Sequence, residues 1–122
     1  MCKLFIDADP EMWQPHTRSF RMDGMVTSVR LEELFWQALE TIGERDELTV
    51  PQLLLRLYNE SLDAGHDIGN FTSFLRVCCL RFLDLQLRGL IPLERNVRLS
   101  ELLADDILTI EANERQKHGH RL

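Results

Sequence analysis

The sequence predicts a mainly α-helical protein with a short β-ribbon near its N-terminus, and three observations predict it. Two extended runs flank the pair Asp23-Gly24, a turn dipeptide typical of tight hairpins. The segments that follow place their apolar residues at helical spacing. The residues between those segments, Thr49-Val50-Pro51, Gly65 and Asn70, are helix caps and stops. With 122 residues, 44% of them apolar and 28% charged, the chain has material for one hydrophobic core.

Each element has its own signal. Residues 1–17 read as an arm packed on the core, with Asp9-Pro10-Glu11 as the cap and first turn of a brief helix. The hairpin follows as Arg18 to Met22, the turn, and Met25 to Leu31. Alternation along the second run puts Thr27, Val29 and Leu31 on one face and Val26, Ser28 and Arg30 on the other. Leu31, Phe35, Ala38, Leu39 and Ile42 then make the apolar stripe of a helix over roughly residues 32 to 45, with Glu32, Glu33, Glu40 and Glu44 on its other faces.

A second helix starts behind Thr49 as N-cap, runs through Leu53, Leu54, Leu57, Tyr58 and Leu62, and stops at Gly65. A third begins after Asn70 and extends to Leu83, with Arg76 and Arg81 as its charged residues. A helix so apolar must be buried, between the others or in a subunit interface. Gly89 and Pro92 break it, Arg88, Arg95 and Arg98 form a basic stretch, Ser100 to Ile110 reads as a short acidic amphipathic helix, and Glu114 to Leu122 reads as a frayed tail. The organisation is therefore an arm (1–17), a central unit (18–88) and a partly helical C-terminal extension (89–122).

Composition narrows function. No stretch approaches the ~20 apolar residues of a membrane span, and the N-terminal apolar run is too short for a signal peptide, so a cytoplasmic protein is expected. Three cysteines without CxxC spacing, two of them adjacent at Cys78 and Cys79, do not make a disulfide framework. They read as small buried hydrophobes, not as redox or metal groups. Asn70-Phe71-Thr72 has the form of a glycosylation acceptor, but in an unsecreted chain Asn70 serves as a helix cap. His118 and His120 have no ligand-spaced partners and are read as surface residues.

No nucleophile elbow, phosphate loop or HExxH occurs, and Glu32-Glu33 is a helix start, where acids favour the dipole. A non-enzymatic protein without cofactor or metal is expected. Phe35, Trp36 and Phe74 read as core, with Trp36 also a candidate for a dimer seam.

The net charge of −6 opposes nucleic-acid binding overall, yet its distribution does not. Residues 31–67 carry nine acids against Arg45 and Arg56, whereas Arg18, Arg21 and Arg30 face Asp23 alone in the segment 18–30. The acidity belongs to the helices and the ribbon is locally basic.

Arg18-Ser19-Phe20-Arg21-Met22 with Gly24, Thr27-Ser28-Val29-Arg30-Leu31-Glu32 with Phe35-Trp36, Leu48-Thr49-Val50, and Asn70-Phe71-Thr72-Ser73-Phe74-Leu75-Arg76 together resemble the ribbon-helix-helix family of DNA-binding proteins. The likeness is to a bacterial branch of that family and covers roughly residues 18 to 83. It implies an intertwined homodimer in which one strand from each chain pairs antiparallel, and the two-stranded ribbon lies in the major groove of double-stranded DNA. It makes Val26, Ser28 and Arg30 the base-contacting residues, and Arg18, Arg21, Thr49 and Val50 the backbone-contacting ones, the last two at a helix N-terminus suited to phosphate.

This chain departs from the family pattern at Val26, where relatives often carry a polar residue, at Pro51, which removes one N–H from that anchor, and in its added third helix and C-terminal helices. A DNA-binding transcriptional regulator is the function the resemblance implies. The alternative is a protein-interaction module, antitoxin-like or an adaptor, that uses the same dimer and binds a protein through the C-terminal segment.

Overall fold

The computed structural model describes residues 2–66 and 69–118. Its elements in chain order are α1 (Cys2–Ile6), a 3-10 turn (Pro10–Trp13), β1 (Pro15–Met22), β2 (Met25–Glu32), α2 (Glu33–Arg45), α3 (Val50–Asp63), α4 (Phe71–Leu87), a second 3-10 turn (Leu99–Glu101) and α5 (Ala104–His118). The fold is thus a two-stranded antiparallel sheet followed by helices.

β1 and β2 pair antiparallel from Pro15↔Glu32 to Met22↔Met25, so two residues make the turn. Those residues, Asp23 and Gly24, have φ of 50° and 82°. Positive φ at both central positions gives the turn whose twist matches that of the strands, and Asp followed by Gly tolerates it well. The hairpin starts at Pro15, three residues before the expected start at Arg18, because the His16 carbonyl accepts a 3.0 Å hydrogen bond from Trp36 Nε1 and Gln14 O accepts one from Glu33 N.

One face of the hairpin makes the floor of the core. Phe20, Met22, Val29 and Leu31 pack there with Trp36 and Leu39 of α2, Val50, Leu53 and Leu54 of α3, and Leu75 and Cys79 of α4. Trp36 is fully buried inside its own chain against Phe20, so the core and not a dimer seam is where it lies. A smaller cluster of Phe82, Leu85 and Ile91 holds Leu90, Leu99, Leu102 and Ile107, and Ile42 touches both clusters.

The caps fall where the sequence puts them. Thr49 accepts from Gln52 N while the Gln52 side chain accepts from Thr49 N, a reciprocal capping box. Asn70 accepts from Ser73 N, and Gly65, at φ 78°, follows the last turn of α3. Gly43 is required by packing, since a Cβ there would lie 2.6 Å from the Leu48 carbonyl oxygen at the α2–α3 turn.

The arm and the third helix differ in part from expectation. Sequence alone packs the arm on the core; the first 3-10 turn lies against α2 and Gln14 O accepts from Glu33 N, but neither it nor α1 buries a side chain, and Leu4, Phe5 and Ile6 are exposed. Sequence alone buries the third helix between the others or in a subunit interface. It runs four residues past Leu83 and buries one face, through Leu75, Cys79, Phe82 and Leu85, leaving Val77, Leu80, Leu83 and Leu87 in solvent. The second part of the expected tail, from residue 119 and including His120, lies outside the described residues, as does the side chain of His118, while Glu114 to His118 is the end of α5.

α5 is held on α4 by a bidentate Arg81–Glu111 pair at 2.8 and 3.0 Å and by Arg88–Glu114 at 3.0 Å. The Arg81 guanidinium holds the buried Glu111 carboxyl below the usual glutamate range. The segment between the helices is fastened by Arg45, a buried residue whose Nε donates to Val97 O at 2.7 Å.

Candidate nucleic-acid interface

The face of the hairpin turned from the core is built from both strands. Thr17, Ser19 and Arg21 of β1 stand beside Arg30, Ser28 and Val26 of β2, in that pairing, and all six are exposed. Ser19 and Ser28 approach to 3.2 Å between their hydroxyl oxygens. Arg21 and Arg30 sit at opposite ends of the face, and among the described residues neither side chain makes a hydrogen bond or ion pair. Their donors are free for an external acceptor, and guanidinium is the side chain that matches phosphate or guanine with two parallel bonds. Strands stand about 4.8 Å apart, so the ribbon fits a major groove about 12 Å wide.

The strand that the resemblance pairs with a second chain is here paired with β1 of the same chain. β1 occupies one edge of β2, and the two strands form the whole sheet among the described residues. The pattern along β2 alone does not single out Thr17 and Ser19, although counting outward from the two-residue turn sets Ser19 opposite Ser28 and finds them.

The expected backbone-contacting residues divide. Arg21 lies on the outward face. Arg18 lies on the inner one, its guanidinium 4.6 Å from the Trp36 ring and 3.6 Å from a Glu40 carboxylate oxygen. Thr49 is exposed, but its hydroxyl and N–H are occupied in the capping box. Val50 is buried, so that only its backbone N–H is available to an anion, Pro51 having none.

One charged contact ties the ribbon to the helices. Arg76 of α4 holds Glu32, the last residue of β2, by two bonds of 3.0 Å. That hydrogen bonding lowers the Glu32 carboxyl below its ordinary range and raises Arg76. Glu32 is thus neutralised beside the basic face it adjoins.

The two cysteines of α4 are not activated. Burial pushes the Cys78 thiol up to about 11 and the Cys79 thiol up to about 12, and Cys79 Sγ donates to Phe35 O at 3.7 Å. Both are protonated at neutral pH and poor nucleophiles. Among the described residues no three His, Cys, Asp or Glu side chains gather to hold a metal ion, and no helix is long and apolar enough to cross a membrane.

The comparisons with known proteins agree with this geometry. A solved structure, that of an uncharacterized protein from Bordetella pertussis Tohama I, is 47% identical with a TM-score of 0.84, and the likeness covers 88% of this chain and 86% of that one. No curated protein matches the chain. The family profile described as the ribbon-helix-helix domain matches residues 15–83, the hairpin and the three helices that cover it, and the chain belongs to the ribbon-helix-helix domain family.

Proposed function

We propose that this protein is a DNA-binding transcriptional regulator that lays its hairpin in the major groove and acts as a homodimer. The observation that carries the reading is the outward face of the ribbon: two guanidinium groups that make no hydrogen bond or ion pair among the described residues and two apposed serines, on a hairpin whose other face is core. Membership supports it, since ribbon-helix-helix proteins are generally DNA-binding regulators and typically non-enzymatic.

The roles follow from chemistry. Arg30 and Arg21 read guanine edges or neutralise phosphate, the serine pair accepts or donates to base edges, and Val26 offers a methyl surface to thymine. The carboxylates repel the phosphate backbone, but the helices and not the outward face of the ribbon carry most of them, so the field orients the hairpin toward DNA. The Val50 N–H at the start of α3 is one further phosphate donor.

The test is selection of bound duplexes from a random pool at moderate salt. Enrichment of a short motif, with log affinity falling linearly against log salt, supports the proposal. A protein that retains no duplex above the level of a plain carrier protein refutes it.

A further inference from the structure

We propose that Arg76 of α4 is a positioning residue for DNA reading: by holding the Glu32 carboxylate it keeps Arg30 free for a guanine edge. This rests on the proposed function and gives the added third helix a part in it.

Arg30 and Glu32 are two positions apart in β2, so alternation starts both side chains from the outward face. At the usual rise of a strand their Cα atoms stand about 7 Å apart, a gap that the two long side chains can close between them. Of the outward positions on both strands Glu32 holds the one acid, and the residue opposite Arg30 is Thr17. A free Glu32 is therefore the carboxylate placed to take the Arg30 donors. Bidentate pairing with a carboxylate uses the same donors as bidentate pairing with guanine, so the two compete directly.

Arg76 removes that competitor. Its Nε and Nη2 donate to the two Glu32 carboxylate oxygens, each at 3.0 Å. The guanidinium also lies over the Phe35 ring, 5.9 Å from its centroid, on a helix whose Leu75 and Cys79 are core. The pair is thus fixed by α4 and not by the strand. Arg30 makes no hydrogen bond or ion pair among the described residues. Hydrogen bonding from Arg76 is the largest influence holding the Glu32 carboxyl below its ordinary range, and the nearby Arg30 charge is a smaller one. Two guanidinium groups thus share the field of one carboxylate, and only Arg76 is bonded to it.

The experiment compares Arg76→Gln, Glu32→Gln and the double variant with wild type, on the full chain and in two readouts. The first needs no DNA: exchange of the Arg30 Nε–H proton with water, followed by heteronuclear NMR. It should be fast in wild type, several-fold slower in Arg76→Gln, where Glu32 captures Arg30, and fast again in the double variant. No slowing in Arg76→Gln overturns the proposal. The second readout is affinity for a selected and a random duplex. Arg76→Gln should lose on the order of 5-fold or more on the selected duplex and much less on the random one. Glu32→Gln should keep wild-type discrimination, and the double variant should regain it although no ion pair can re-form. In an Arg30→Ala background, Arg76→Gln should cost no further discrimination. A merely structural ion pair gives another pattern, equal losses from either single variant without recovery in the double one, and that result overturns the proposal. So does an equal loss on both duplexes matched by Arg115→Gln at an exposed site on α5, since that is a general effect of charge. Should Arg76→Gln unfold, Glu32→Gln decides: retained discrimination supports the role, and lost discrimination overturns it. A wild type that binds no duplex refutes the proposed function, and the NMR readout then decides by itself whether Arg76 frees Arg30.

Discussion

Arg18 and Arg30 stand one step apart in the strand register and on opposite faces of the hairpin, and together they make the sharpest test of the ribbon. Arg30 is exposed and its side chain makes no bond within the described chain, so Arg30→Ala removes nothing that holds the fold, and stability should stay within about 0.5 kcal/mol. If Arg30 bonds a guanine bidentately, the loss is about 1–3 kcal/mol, or roughly 5- to 150-fold in affinity for the selected duplex. Affinity for random duplex should change much less. Arg18 faces the other way. Arg18→Ala removes a stack over Trp36 and a half-exposed pair with Glu40, together about 1 kcal/mol. For a domain of this size that lowers Tm by roughly 4 °C, with little change in DNA affinity. Fluorescence anisotropy against selected and random duplexes, with thermal denaturation of each variant, reads both quantities. Equal affinity losses from the two variants, or intact discrimination in Arg30→Ala, would refute the assignment of faces.

Other consequences are as specific. Trp36→Ala empties a fully buried site and orphans the His16 carbonyl, so chemical denaturation should show a loss of about 3–5 kcal/mol. Gly43→Ala drives a methyl against the Leu48 carbonyl and should destabilise by roughly 1–3 kcal/mol on the same measurement. With the Cys78 and Cys79 thiols raised to about 11 and about 12, a thiol reagent at pH 8 should modify only Cys2 promptly, the other two reacting after denaturation. Glu111 is held ionised by Arg81, so its folded value lies below the ordinary 4.5. Its contribution is present above pH 4.5 and is lost as pH falls through the folded value. Thermal scans over acidic pH should therefore show less acid sensitivity in Glu111→Gln than in wild type.

Most of the architecture was legible because local chemistry decides it. Asp23-Gly24, Thr49, Gly65 and Asn70 are residues whose side chains or backbone freedom satisfy a turn or a helix end on the spot. What local chemistry leaves open is which surface meets which. Arg18 and Arg30 look equivalent as charges in a strand, and register alone separates them. The start of β1 at Pro15 depends on a hydrogen bond from Trp36, whose partner His16 lies 20 residues away along the chain. The partners of Arg76 and Arg81 lie 44 and 30 residues away, and no spacing rule reaches that far. The exposed side of α4 was illegible for a related reason: apolar content says that a helix needs cover, not how much of that cover its own chain supplies.

Closure of a hairpin within one chain leaves a defined place for a second chain. Asp23-Gly24 joins β1 to β2 through two residues, so the hairpin itself does not depend on concentration. The sheet has two strands, and β1 occupies one edge of β2, so the other edge is where a strand from a second copy would pair in the proposed homodimer. A reading surface built from both copies exists only at concentrations that sustain the pair. Specific duplex binding and dimer content, measured by fluorescence anisotropy and sedimentation velocity over one dilution series, should therefore fall together. Specific binding that persists in a chain sedimenting as a monomer would mean that a single hairpin reads DNA alone, and the dimer would have to be abandoned as the reading unit.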